Sequence, residues 1–117
     1  MTQLKDLPFT ANKSVNGLIS PFQIKPLMAQ LPEWDLVVDN DEEHLKAEFK
    51  AESYANGVAF CNAVAKLADE VDHHPKMVIE YAKITIYWWT HTLHGLHKND
   101  FILAAKTSEL FEFSKVS

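Results

Sequence analysis

Twice along this chain the residues alternate with period two, and between those stretches they repeat with the period of a helix; that order leaves few folds open. Trp34, Leu36 and Val38 alternate with Asp35 and Val37, and Leu45, Ala47 and Phe49 alternate with Lys46, Glu48 and Lys50. Successive side chains of a strand point to opposite faces, so both runs predict strands, the second with one wet face. Asp39-Asn40-Asp41 between them is turn chemistry, and the pair reads as a hairpin. Tyr54, Val58, Cys61, Val64 or Ala65, and Ala68 then share one helical stripe, while Asn62, Lys66 and Asp69 lie off it. This predicts a central amphipathic helix whose apolar face covers a sheet. Alternation returns in Met77, Ile79 and Tyr81 against Val78 and Glu80, and in Ile84, Ile86 and Trp88 against Lys83, Thr85, Tyr87 and Trp89. These are two more strands, joined tightly around Ala82.

Flanking helices complete the order. Ser20-Pro21 has the form of a helix start, a Ser cap followed by Pro at the first helical position. Phe22, Ile24, Leu27, Met28 and Leu31 follow at helical spacing, with Pro26 inside the run and Pro32 expected to end it. Asn99 or Asp100 caps a last helix containing Phe101, Ile102, Leu103, Ala105 and Leu110. The order helix-strand-strand-helix-strand-strand-helix predicts an α+β fold, a four-stranded antiparallel sheet covered on one face by helices. Residues 1–20 show no steady period and read as an N-terminal extension, loosely docked and of little weight in stability. Residues 21–117 form the single domain expected of a 117-residue chain.

The formal charge of -5 argues against a nucleic-acid binder that works by neutralising phosphates. One cysteine, Cys61, excludes an internal disulfide, and its place in an apolar pattern reads as a buried thiol. No apolar run is long enough for a membrane span, and residues 1–20 lack the basic start and apolar core of a signal peptide. A cytoplasmic protein is the expectation.

The chemistry-bearing residues crowd into one window. Asp69-Glu70-Val71-Asp72-His73-His74-Pro75 lies between the central helix and the third strand, and His91 ends the fourth strand. Imidazole titrates near neutral pH, so such a cluster can both give and take protons. Pro75 disfavours helical geometry at His74, which places the pair where a helix gives way to a strand. Tyr87, Trp89 and His91 share a parity opposite to that of Ile84, Ile86 and Trp88, so they face away from the helices. Trp89 therefore meets either another subunit or a flat heterocycle, or both. Asp69 and Asp72 stand at a helix C-terminus, where negative charge is unfavourable, and this hints that at least one orients a histidine. Asp100 reads first as a helix cap. His91, His94 and His97 are spaced by three, as metal ligands can be. Gly95 interrupts the run and no His-Glu-x-x-His pattern is present, so His94 and His97 read as solvent-facing loop residues and no metal is expected.

The window resembles the pterin-4a-carbinolamine dehydratase family. That family has an acidic residue, three spacers, His-His-Pro, five spacers, an aromatic, nine spacers, His, and Asp after eight or more; here the places hold Asp69, His73-His74-Pro75, Tyr81, His91 and Asp100. The resemblance runs from about Trp34 to Leu110. It implies dehydration of a 4a-hydroxytetrahydropterin to the quinonoid dihydropterin, which recycles the pterin of aromatic amino-acid hydroxylases. His73, His74 and His91 would be the catalytic set. Asp72, Pro75, Trp89, Thr90 and Thr92 would hold the pterin, with Asp69, Tyr81 and Asp100 in support. No cofactor is implied, and the family assembles as homodimers or homotetramers. An exposed sheet edge and a surplus of Trp point the same way. Met77 departs from the aromatic that members often carry two residues after the Pro. The alternative is a non-enzymatic protein-binding module, acting as a dimerisation cofactor or transcriptional coactivator. Intact His73, His74 and His91 speak against it, since an adaptor has no chemical need of them.

Overall fold

In the computed structural model, which describes residues 3–9 and 17–114, the two alternating stretches form antiparallel hairpins joined edge to edge. Strands β1 (Trp34–Asp39) and β2 (Glu42–Lys50) make the first, β3 (Lys76–Glu80) and β4 (Lys83–Trp88) the second, and the sheet order is β1-β2-β4-β3. The first hairpin closes through Asn40 and Asp41 between the Asp39–Glu42 pair, both in the left-handed region at φ 51° and 64°. A two-residue turn with positive φ at both places suits the twist of the strands, and Asn and Asp tolerate that conformation better than other side chains with a Cβ.

Leu45, Ala47 and Phe49 of β2 and Ile84, Ile86 and Trp88 of β4 are buried on one face of the sheet, as the alternation predicts. Helices α2 (Tyr54–Val71) and α3 (Lys98–Ser114) contribute the other half of this core. Ser53 caps α2 by accepting the Asn56 N–H at 3.0 Å. The buried stripe of α2 is Gly57, Phe60, Cys61, Val64 and Ala68; Tyr54, expected on it, is exposed, and Val58 is only half-buried. Gly57 explains the rotation. A Cβ there would meet Ile84 Cδ1 at 2.9 Å, so the helix lies against β4 through the residue that has none. Cys61 is buried as expected, and burial pushes its thiol pKa up. The buried Trp88 indole donates to Thr107 Oγ1 of α3 at 2.9 Å, and that hydroxyl donates to the Leu103 carbonyl. The polar group is thereby satisfied where water cannot reach it.

Two expectations need correction. Helix α1 (Pro21–Met28) starts as predicted, with Ser20 Oγ accepting the Phe22 N–H, but it stops before Pro32. The Gln30 and Leu31 N–H groups bond to the Leu27 and Met28 carbonyls, tightening the chain so that Leu31 turns into the core. Pro26, which cannot donate to the preceding turn, already weakens this helix from inside. The second correction concerns the loose docking expected before residue 20. Residues 3–9 are held: Leu4 is buried in the core, Lys5 pairs with Glu109 at 3.0 Å, and Lys106 Nζ donates to the Lys5 carbonyl. One apolar anchor has no periodicity, so a pattern search passes over it.

Candidate active site

Helix α2 stops abruptly. Asp72 takes the left-handed conformation at φ 52°, and the N–H groups of both Asp72 and His73 reach the Ala68 carbonyl. This is a left-handed helix stop, made here by Asp instead of Gly. The chain then runs extended into β3, so the next two side chains diverge. His73 turns inward and is buried, while His74 turns outward and is exposed. Because Lys76 pairs with Tyr87, the His73-His74-Pro75 segment enters beside the exit of β4, where Trp89, Thr90 and His91 follow.

Asp100 staples these two segments together. Its Oδ1 lies 2.9 Å from His73 Nε2, and its Oδ2 accepts from Thr90 Oγ1 at 2.8 Å and from the His97 N–H at 2.9 Å. With an ionised carboxylate, His73 carries its proton on Nε2 and leaves Nδ1 as the other ring atom. The His73 ring lies parallel to Trp88 at 5.8 Å between centroids and tilted to Phe9 at 5.9 Å. Asp69, one helical turn back, sits with Oδ1 3.0 Å from His74 Nε2 on the surface. Orienting a histidine is thus the geometry of Asp69, and Asp100 does the same while also capping α3.

His91 opens a short 3-10 turn, His91–Leu93, which is closed by the bridge between Thr90 and Gly95. Its exposed side chain rests against Trp89, with centroids 4.4 Å apart. Trp88 and Trp89 take opposite faces, as the parity requires: Trp88 is wholly buried and Trp89 half-buried. Thr92 is exposed in the turn, Pro75 is half-buried, and Asp72 projects from the helix end. Tyr81 does not join them. It is 80% exposed at the β3–β4 turn, the far end of the strand from His74.

The loop histidines divide. His94 is exposed and bonds Glu42 Oε2 through Nδ1 at 2.8 Å. His97, expected to face solvent, is wholly buried. It precedes α3, accepts the Asn99 N–H on Nδ1, and gives its own N–H to Asp100. The His97 ring thus caps the second N–H of the helix while the Asp100 carboxylate reaches back to the His97 N–H, a variant of the capping box, so the expected cap at Asn99 or Asp100 shifts to His97. His94 and His97 are therefore engaged apart from His91, and among the described residues no group of three or more His, Cys, Asp or Glu converges as a metal site.

Sequence reasoning missed His44. The register that pairs Leu45 with Trp88 sets His44 across from Trp89, and the two rings stack at 3.8 Å and 13°. The alternation of β2 already put His44 on the face of Lys46 and Glu48; only the strand register was needed to bring it to Trp89. Burial pushes the His44 imidazole below its ordinary pKa of 6.5, with Asp39 and Glu42 pulling it back up and His91 pushing it further down.

Comparison with known proteins identifies the family and agrees with the fold. The family model described as pterin 4 alpha carbinolamine dehydratase matches residues 18–110. A protein of Marinobacter nauticus, provisionally named a pterin-4-alpha-carbinolamine dehydratase, is 48% identical over 85 residues, which cover 73% of this chain and 77% of the relative. A Chlorobium limicola protein of the same provisional name is 35% identical over 112 residues, 96% of this chain and 99% of its own. Among solved structures, a transcriptional coactivator/pterin dehydratase from Brucella melitensis shares the fold with a TM-score of 0.72 at 20% identity, covering 80% of this chain and 98% of that one. A pterin dehydratase-like protein identified as a RuBisCO assembly factor in the alpha-carboxysome aligns with a TM-score of 0.57 at 25% identity, covering 68% and 89%. The chain belongs to the pterin 4 alpha carbinolamine dehydratase family.

Proposed function

We propose that this protein dehydrates a 4a-hydroxytetrahydropterin to the quinonoid dihydropterin, recycling the pterin of an aromatic amino-acid hydroxylase. The substrate carbon bears a hydroxyl beside a ring nitrogen. The hydroxyl leaves as water after taking a proton, and the ring nitrogen gives one up as its bond to that carbon becomes double. The change is a loss of water with no net oxidation, so acid and base groups suffice in principle.

The observation that carries the proposal is the Asp100 staple. One buried carboxylate holds His73 by its Nε2 and Thr90 by its hydroxyl, and so joins the His-His-Pro segment to the segment that ends in His91. Exposed His74 and His91 are the proton-exchanging groups in this reading, with Asp69 steadying His74. His73 is the fixed member, buried and bound to Asp100. Asp72, Pro75, Trp89 and Thr92 border the place a pterin would take, and Thr90 acts from beneath through Asp100. The protein would work in the cytoplasm as a homodimer or homotetramer; no helix among the described residues is long and apolar enough to cross a membrane.

The test is the rate of water loss from 4a-hydroxytetrahydropterin, generated in place by a hydroxylase, with and without the purified protein. A rate equal to the spontaneous one would sink the proposal. A second reading, a protein-binding module, draws on the coactivator and assembly-factor names of the two structural neighbours. Failure of dehydration together with stable capture of a defined partner would favour it.

A further inference from the structure

His44 is the one buried side chain among the described residues whose polar atom lacks a hydrogen-bond partner. It is 5% exposed, and its Nε2 is enclosed with no donor or acceptor at full hydrogen-bond distance, Glu42 being its one weak partner. The nearest carboxylate oxygen, Glu42 Oε1, stands 3.8 Å away, and the other oxygen of Glu42 is engaged by His94. Leaving a buried polar group unpaired costs about 1–3 kcal/mol. A ring at this place serves packing, yet Phe would pack without that cost, so the imidazole asks for an explanation in use.

The contacts supply one. His44 stacks flat on Trp89, and Trp89 in turn meets His91 at 4.4 Å and 43°. Three rings thus run from strand β2 to the exposed turn, with the indole in the middle. An indole in a half-open site turns about its side-chain bonds unless both sides hold it, and His44 is what holds this one on the sheet side.

We propose that His44 is a positioning residue of the dehydration site, clamping Trp89 so that the indole sets the place of the His91 imidazole. This rests on the dehydratase reading above. The clamp works with His44 uncharged. The groups around it are Asp39 at the end of β1, Glu42 and Lys46 on its own strand, Tyr87 on β4, and His91 and His94 in the turn. Burial opposes a proton on His44, and His91 across the indole opposes it further.

Two variants separate the ring from the nitrogen. His44→Phe keeps a flat ring and removes the orphaned atom, whereas His44→Leu fills the volume with no flat face. Both replace a buried unpaired group by an apolar one, so the fold should survive in each. The first readout is the ring-current shift of the His91 protons in NMR spectra at pH 7.5. It should persist in His44→Phe and collapse toward solvent values in His44→Leu. The second readout is dehydration. His44→Leu should lose about ten- to a hundredfold in kcat, the scale of a misplacement of about an ångström, with a smaller change in KM. His44→Phe should keep most of kcat and lose one ionisation from the acid side of its pH profile. Unmoved His91 resonances in His44→Leu would overturn the clamp, as would equal impairment of both variants. If the wild-type protein does not accelerate dehydration, the dehydratase reading falls, and the His91 resonances alone decide whether His44 holds the ring.

Discussion

Two adjacent histidines make the same bond in two different media. His73 meets Asp100 at 2.9 Å with side chains 2% and 0% exposed, and His74 meets Asp69 at 3.0 Å with side chains 56% and 79% exposed. Distance alone would rank them equal. The surroundings do not: the first pair is cut off from water and shares its carboxylate with Thr90 and with the His97 N–H, while the second is solvated on all sides. A buried pair is costly to break because the partner left behind has no water to turn to. An exposed pair is replaced by solvent at little cost. The chain thus carries one His–Asp pair locked in the interior and one open to solvent, and in the proposed dehydration the first builds the site while the second exchanges protons.

The sharpest way to test that division is to remove each histidine on the exchanging side and follow chemistry and stability together. His74→Ala and His91→Ala should each slow dehydration by about a hundred- to ten-thousandfold, the usual contribution of a general acid or base, with thermal midpoints close to wild type. A loss of stability as large as the loss of rate would collapse the distinction. On the building side, Asp100→Ala should lower unfolding free energy by about 3–5 kcal/mol, measured by urea denaturation, because it strands a buried imidazole and uncaps α3 at once. His97→Ala should cost about 2–5 kcal/mol, the cap and the cavity left by a buried ring together, with the rate of dehydration per folded molecule unchanged. Asp69→Ala should move stability by less than about 1 kcal/mol, the range of an exposed pair.

One pH dependence belongs to the same contrast between buried and exposed imidazoles. Burial lowers the His44 pKa from 6.5, so the unfolded chain binds the proton more readily than the folded one. The stability this group contributes is present above pH 6.5 and is lost as pH falls through the lower folded value. In a urea series between pH 7.5 and pH 5, His44→Phe should flatten part of the wild-type decline. An identical slope in both proteins would mean that His44 takes up its proton as easily folded as unfolded.

The order of elements was legible because alternation and helical spacing are local properties. Strands β2 and β4 and helix α2 each bury one face, and a buried face writes its period into the chain. The parity of Trp88 and Trp89, the Ser20-Pro21 start, and the joining of His73-His74-Pro75 to a helix end all follow from neighbours a few residues apart. The spacing of Asp69, His73, His74, His91 and Asp100 likewise pointed to the family.

What the chain by itself did not decide is which of these groups is inside. His73 and His74 are the same residue type one position apart, and only the left-handed stop at Asp72 and the packing of α3 send one to the core and the other to water. His97 looked like its loop neighbour His94 until α3 made it a cap, and Leu4 became core only because α3 passes over it. His44 meets Trp89 only because β2 and β4 come into register. Period and spacing are set by residues close in sequence; burial is set by contacts between distant residues, as in His73 with Asp100, 27 positions apart, and those exist only once the sheet and its helices have closed.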